Sequence, residues 1–428
     1  MKKIRMTYTP LITILICIIF AACSNEGDNE PEIQIPAITS WYIGDYIEFT
    51  KDAQTRSISF SVNFDWSINV TISNGESKWC MVTPTNGSLG EQYIEIKVLK
   101  NDSYNNRSAI VTLECEDETK SFRIEQKGLP KPEIIIVKEA GTLEDELNSI
   151  NKELESLIIE GSINGNDIGA LRTLNNLKKL DLSNANIVKG GSFRYKKNMG
   201  INGYEWYSET CKEDNVIPSN MFNNGFRILE ELILPNTITS IGNNAFEECI
   251  SLKSIKIPYY VNAIGSGAFK NCFDLEHINL PVAITSIDSG VFWQCNSLSH
   301  IYIPEGVTKI ESSAFAQCRN LASITLPITL VEIGPMAFSQ CNWGLTQIIL
   351  PENLKKIGYQ AFHECNNLTF VTCLATKAPD ISPLISNNSI IYPFDDNFKG
   401  YLSVPKGSSS SYNSSDWKQF FIIEELDE

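Results

Sequence analysis

One spacing limits what this chain can fold into. Ala-Phe or Val-Phe, followed by Cys three residues later, occurs at Phe246/Cys249, Phe269/Cys272, Phe292/Cys295, Phe315/Cys318, Phe338/Cys341 and Phe362/Cys365. The step is 23 residues, and 24 once, where Trp343-Gly344 adds a residue. Proline keeps the same beat at Pro235, Pro258, Pro281, Pro304, Pro327 and Pro351. A fixed period of this length signals stacked supersecondary units. In the unit that runs from Leu252 to Cys272, Ile255 and Ile257 alternate as a short strand does. Pro258 then ends the ladder, having no N–H to donate. Val261 and Ile264 turn a second extended segment inward, and Gly265 is expected to permit the turn after it. Ala268, Phe269 and Cys272 close the coil. A single coil cannot bury enough apolar surface to offset the ordering of its own backbone. Stacked coils share one continuous core, so the prediction is a solenoid.

The pattern resembles the BspA-type leucine-rich repeats of bacterial cell surfaces, over roughly Leu154 to the C-terminus. That resemblance implies a scaffold built for binding. The early part departs from the beat: Leu177-x-x-Leu180-x-Leu182-x-Asn184 is a more general leucine-rich signature. Ile217-Pro218-x-x-x-Phe222 is a degenerate coil with Gly225 where the cysteine belongs. Glu144 to Leu154 reads as a capping helix, and Tyr401-Leu402-x-Val404-Pro405, with Tyr412, Trp417 and Phe420, resembles the family's closing cap.

Residues 33–128 have another texture, with alternating runs such as Ser57 to Phe64 and Tyr93 to Val98 broken by Asn-Gly and Pro turns. This predicts an immunoglobulin-like β-sandwich. Trp66-Ser67-Ile68, Trp79, Pro84-x-x-Gly87, Asn101, Arg107 and Phe122-x-Ile124-x-Gln126 together resemble a BACON domain. The resemblance implies either a sugar-binding module or a spacer. Trp66 and Trp79 lie in strand-like runs and are expected to be buried.

The fold class is therefore mainly β: a sandwich, then a leucine-rich-repeat solenoid of 23-residue coils with terminal caps. The expected order is a signal peptide over 1–22, an acidic lipoprotein tether over 23–32, the BACON-like sandwich over 33–128 and a linker over 129–141. The repeat domain fills 142–428, with a helical cap and irregular repeats over 142–230, regular repeats over 231–374 and a C-terminal cap over 375–428. The leader reading rests on Lys2, Lys3 and Arg5 before an apolar run, Leu11 to Ala22, too short to span a bilayer. Ala21-Ala22-Cys23 resembles a lipobox, with Cys23 as the lipidated residue. Glu26, Asp28, Glu30 and Glu32 follow, resembling the export tag of outward-facing outer-membrane lipoproteins. A lipid anchor is then the only expected membrane contact.

Charge narrows the partners. The chain has 35 basic and 51 acidic residues, a net charge of −16. Such a surface repels nucleic acid at long range, which is not an expected partner. Twelve cysteines in an exported chain would ordinarily signal disulfides. Six of them occupy one repeat position, however, where stacking points their side chains the same way. They read as buried structural thiols, while Cys80, Cys115, Cys211 and Cys373 are unassigned. No Cys-x-x-Cys, His-Glu-x-x-His, Gly-x-Ser-x-Gly, P-loop or dinucleotide fingerprint is present. The expectation is a non-enzyme without cofactor or metal, although abundant carboxylates leave a glycosidase pair open.

A ligand has two candidate seats. Outward strand positions form one row of Ile233, Lys256, Asn279, Tyr302, Thr325 and Ile349. Beside it runs Glu231, Ser254, His277, His300, Ser323, Gln347 and Phe370. Lys256, His277, Asn279, His300, Tyr302 and Thr325 are the ligand-binding candidates on this face. The second seat is the insertion over 190–215, with Tyr195, Tyr204, Trp206 and Tyr207, which either forms a functional loop or packs on the flank. The leading reading is adhesion to a host or neighbour-cell protein through the repeat face. The alternatives are a glycan-binding component of a surface nutrient-uptake system and a structural spacer.

Overall fold

The computed structural model describes residues 36–426, apart from 42, 74–77, 130, 151–152, 200–202, 382, 387–388 and 396–397. Cys23 and the segment read as leader and tether lie outside the described residues. The chain divides into two compact units, Met1–Leu129 and Pro130–Glu428.

In the first unit, strands that alternate apolar and polar residues pair into two sheets. One has the order β1 (Ile38–Trp41), β3 (Gln54–Val62), β7 (Gly90–Val98), β5 (Cys80–Thr83). The other runs β2 (Tyr46–Phe49), β9 (Glu118–Gln126), β8 (Arg107–Cys115), β4 (Trp66–Ile72), β6 (Asn86–Gly87). Pairing is antiparallel except between β2 and β9. Phe60, Trp66, Trp79, Ile96, Val111 and Phe122 fill the space between them. The residues that carry the BACON resemblance hold this sandwich together. A Cβ at Gly87 would meet the Trp66 indole at 2.8 Å, so only glycine lets β6 cross it. Buried Asn101 donates from Nδ2 to the carbonyls of Asn105 and Lys127 at 3.0 and 3.1 Å. Arg107 lies over the Trp79 ring at 4.5 Å and donates to Gln126 Oε1 at 2.9 Å.

The second unit is the solenoid. Its sheet starts earlier than the sequence implied: Glu133–Val137 (β10), inside the stretch read as linker, pairs in parallel with Ser156–Ile163 (β11), and β11 with Lys179–Ile187 (β12). The expected capping helix is reduced to one turn, Leu143–Leu147 (α1), with Leu143 and Leu147 buried. A second helix, Gly165–Leu171 (α2), opens with a capping box between Asn164 and Asp167. The buried Asp167 carboxylate also accepts from the N–H groups of Gly141 and Leu143 at 2.6 and 2.9 Å, tying both helices together. Regular coils follow, each adding a short parallel strand such as Glu231–Ile233, Ser254–Lys256 and His277–Asn279.

The repeat's phenylalanines form a ladder. Phe222, Phe246, Phe269, Phe292, Phe315, Phe338, Phe362 and Phe394 stack at centroid spacings between 4.9 and 5.7 Å. The cysteines form a second column with a hydrogen-bonding role. Each thiol donates to the phenylalanine carbonyl of the preceding coil, as Cys272 does to Phe246, Cys295 to Phe269 and Cys318 to Phe292, at 3.0–3.2 Å, and Cys249 to Phe222 at a longer 3.6 Å. All six are free and buried. In the degenerate coil, Gly225 leaves room for Arg172, whose guanidinium would lie 2.9 Å from a Cβ there. Arg172 instead donates to the carbonyls of Met221 and Asn223 at 2.9 and 2.7 Å.

Gly265 does not act as the sequence suggested. Its φ is not left-handed; a Cβ there would meet Asn243 at 2.4 Å, so glycine is needed for close approach between coils. The left-handed position is Gly267, φ +66°, matched in other coils by Asn244, Ser313, Met336 and Gln360.

Candidate functional site

Because side chains alternate along each strand, burying Ile255, Ile278, Ile301 and Ile348 turns their neighbours outward. Lys256, His277, Asn279, His300, Tyr302 and Thr325 are all exposed on this face. Register aligns Ser254 with His277, Lys256 with Asn279, His300 with Ser323 and Tyr302 with Thr325. The His277 and His300 rings lie 5.3 Å apart, which joins the two sheet segments across the face. Tyr302 stands 58% exposed near its middle. A cleft of about 360 Å³ beside Thr325 and Ile349 is lined by Ile324, Leu326, Ile328 and Leu374, with Glu305 and Glu352 at its rim.

The face continues beyond the predicted rows. Phe370 pairs in register with Tyr401 and stacks on it at 5.5 Å, and Tyr401 pairs with Ile422. Phe370, Tyr401 and Ile422 are 56%, 48% and 57% exposed, an apolar end to the surface. Neither Tyr401 nor Ile422 belongs to the rows predicted from the sequence. The signal for Tyr401 was present in Leu402-x-Val404-Pro405, which repeats the strand-then-proline signature of the coils. Ile422 lies in Phe421–Glu425, where no proline marks the strand.

The insertion is a hairpin, Gly190–Asn198 (β13) with Tyr204–Cys211 (β14), paired so that Lys196 faces Trp206 and Tyr195 faces Tyr207. It does both things that the sequence left open. Phe193, Tyr195 and Cys211 are buried, so Tyr195 serves packing, stacked on Tyr207 at 6.0 Å. Tyr204, Trp206 and Tyr207 stay exposed. The Tyr204 hydroxyl donates to Glu248 at 3.4 Å, fastening the hairpin to the first regular coil. The two seats lie on different strand pairs: the hairpin aromatics sit on β13 and β14, whereas Tyr302 pairs with Thr325 on the sheet face.

The structural repeat residues Phe246, Cys249, Phe269, Cys272, Phe292, Cys295, Phe315, Cys318, Phe338, Cys341, Phe362 and Cys365 are all in the core. Burial raises their thiol pKa values, Cys249, Cys318 and Cys365 to about 12. Thiols so desolvated are poor nucleophiles and poor metal ligands. Among the described residues, no three His, Cys, Asp or Glu side chains gather as a metal site would. No described helix is long and apolar enough to cross a membrane.

Residues 215–343 and 342–382 match the family model described as BspA type leucine rich repeat region, in six copies. Residues 215–382 of the solenoid thus carry BspA-type leucine-rich repeats. Residues 43–129 match the model described as viral BACON domain, over the sandwich. Comparison with curated proteins gives no match. Among solved structures, the chain is similar to a leucine-rich repeat protein from Bacteroides ovatus, at 22% identity and TM-score 0.42 over 63% of this chain and 61% of that one. It is also similar to a leucine rich cell surface protein from Faecalibacterium prausnitzii, at 27% identity and TM-score 0.37 over 49% and 62%. A leucine-rich repeat protein from Eubacterium ventriosum matches at 21% identity and TM-score 0.35 over 55% and 63%. The chain thus spans less than two thirds of each of these proteins. The BspA-type repeats provide a scaffold whose outward strand positions carry the sheet-face candidate residues.

Proposed function

We propose that this is a cell-surface binding protein that recognises an extracellular protein, of a host or a neighbouring cell, through the outward face of its BspA-type sheet. The observation that carries the reading is the row of exposed residues on successive strands, from Lys256 and the His277/His300 pair through Tyr302 to the Phe370/Tyr401 stack. Buried coil residues are dictated by packing, whereas these positions are free of that constraint, yet they bring aromatic and imidazole groups side by side. Aromatics supply contact area at small entropic cost, and polar neighbours fix orientation. The apolar cleft beside Ile349 offers a pocket for a partner's anchor residue. Display at the outer membrane is part of the same proposal. BspA-type repeats are typical of bacterial surface proteins, and the leader with Ala21-Ala22-Cys23 supports a lipid anchor there.

The test is a parallel screen of residues 24–428 on immobilised extracellular-matrix proteins, mucins and a glycan array. Saturable binding to a protein surface is the expected result. Signal on glycans alone would replace this reading by sugar capture, and silence on every surface by a spacer.

A further inference from the structure

The hairpin of β13 and β14 roofs a cleft of about 680 Å³ against α2 and the degenerate coil. Its composition is opposite to that of the molecule. The chain carries −16 overall, yet Arg172, Arg194 and Lys196 line this cleft against one acid, Glu144. Arg194 and Lys196 project from β13 over the Trp206 ring, at 5.0 and 5.1 Å from its centroid. Neither makes an ion pair among the described residues. Arg172 lies deeper. Three of its N–H groups are occupied by carbonyls of the degenerate coil, no described carboxylate pairs with it, and burial lowers its pKa to about 10. The opposite wall adds the amides of Asn166 and Asn224 and the Thr173 hydroxyl.

We infer that this cleft binds a terminal acidic sugar, carboxylated or sulfated. A guanidinium and an ammonium at the mouth suit a compact anion. The part of the Trp206 indole they leave exposed, with the residue 56% exposed overall, offers a flat apolar surface for the C–H face of a pyranose. Amides and hydroxyls match its ring hydroxyls, and the volume is that of an ordinary small-ligand site. The chain's net charge of −16 disfavours a long polyanion, whereas a single terminal charge seated in the cleft would lie within about a Debye length, ~8 Å, of its cations. The site is separate from the sheet face and does not depend on the protein-binding reading.

Full-length protein is titrated calorimetrically with sialyllactose, sulfated lactose, unmodified lactose and sodium sulfate. At least one acidic sugar should bind with Kd of about 1 mM or tighter, and lactose at least about tenfold more weakly. Binding to one acidic probe alone identifies which acid is read. The double variant R194A/K196A and, separately, Trp206→Ala should each weaken the acidic probe by about tenfold or more, while Trp343→Ala, at an exposed indole outside both candidate seats, leaves it unchanged. Circular dichroism melts check that each variant is folded. Equal affinity for lactose, equal affinity for inorganic sulfate, unaltered binding by R194A/K196A, or no binding of either acidic sugar would overturn the inference.

Discussion

Each coil's chemistry divides by the direction in which a residue points. Tyr302 and Phe315 are thirteen positions apart in one coil, yet one is outside and the other fully buried. Tyr302→Ala should change stability by no more than about 0.5 kcal/mol. Phe315→Ala removes a rung between Phe292 and Phe338 and should cost roughly 3–5 kcal/mol. Urea melts of the two variants measure the contrast. The cysteine column gives a pH prediction. Burial raises all six thiol pKa values above their unfolded value, so the folded state holds protons that the unfolded chain gives up. The associated stability is intact below about pH 9 and is lost as pH rises above it, for Cys249, Cys318 and Cys365 up to about 12, by about 1.4 kcal/mol per pH unit for each thiol in that range. Urea midpoints between pH 7.5 and 10.5 should fall steeply above 9; a flat profile would show the thiols are not buried together. These roles were legible in the 23-residue beat, because packing repeats. The thiol's hydrogen bond to the Phe carbonyl was not, since spacing carries no information on what a side chain donates to.

At the scale of elements, regularity decided what could be read in advance. Coils from Glu231 to Cys373 follow from Ile-x-Ile-Pro and Ala-Phe-x-x-Cys. The first turns do not, because β10 reads as Ile-rich linker and α1 is too short for helical periodicity. The close approach at Gly265 depends on the neighbouring coil, which no local pattern records. The hairpin was visible as an interruption with aromatics, but its buried Tyr195 and exposed Trp206 are separated only by strand pairing. Asp167 is the residue on which the N-terminal cap depends. Replacing it by Ala strands three backbone N–H groups, those of Gly141, Leu143 and Asn164. The expected cost is about 3 kcal/mol or more. Hydrogen exchange should show those amides and α1 losing protection while the coils around Phe315 keep theirs; uniform loss would mean the cap and coils unfold as one.

At the scale of the molecule, a core that stacks is distinct from the exposed sheet face for which binding is proposed. The lipobox reading adds a membrane address: Cys23→Ala should shift the protein out of the membrane fraction or leave its leader uncleaved, and unchanged lipid labelling would refute it. The central claim concerns the sheet face, and the decisive measurement is affinity for the immobilised matrix proteins and mucins across three forms of the chain. These are the wild type, the double variant Tyr302→Ala/Phe370→Ala, and Trp343→Ala, which removes an indole 59% exposed outside the outward rows. All three should melt alike. The account predicts that wild type and Trp343→Ala bind equally while the double variant loses about tenfold or more, roughly 1.4 kcal/mol. Full binding by the double variant, or a loss confined to Trp343→Ala, would contradict it.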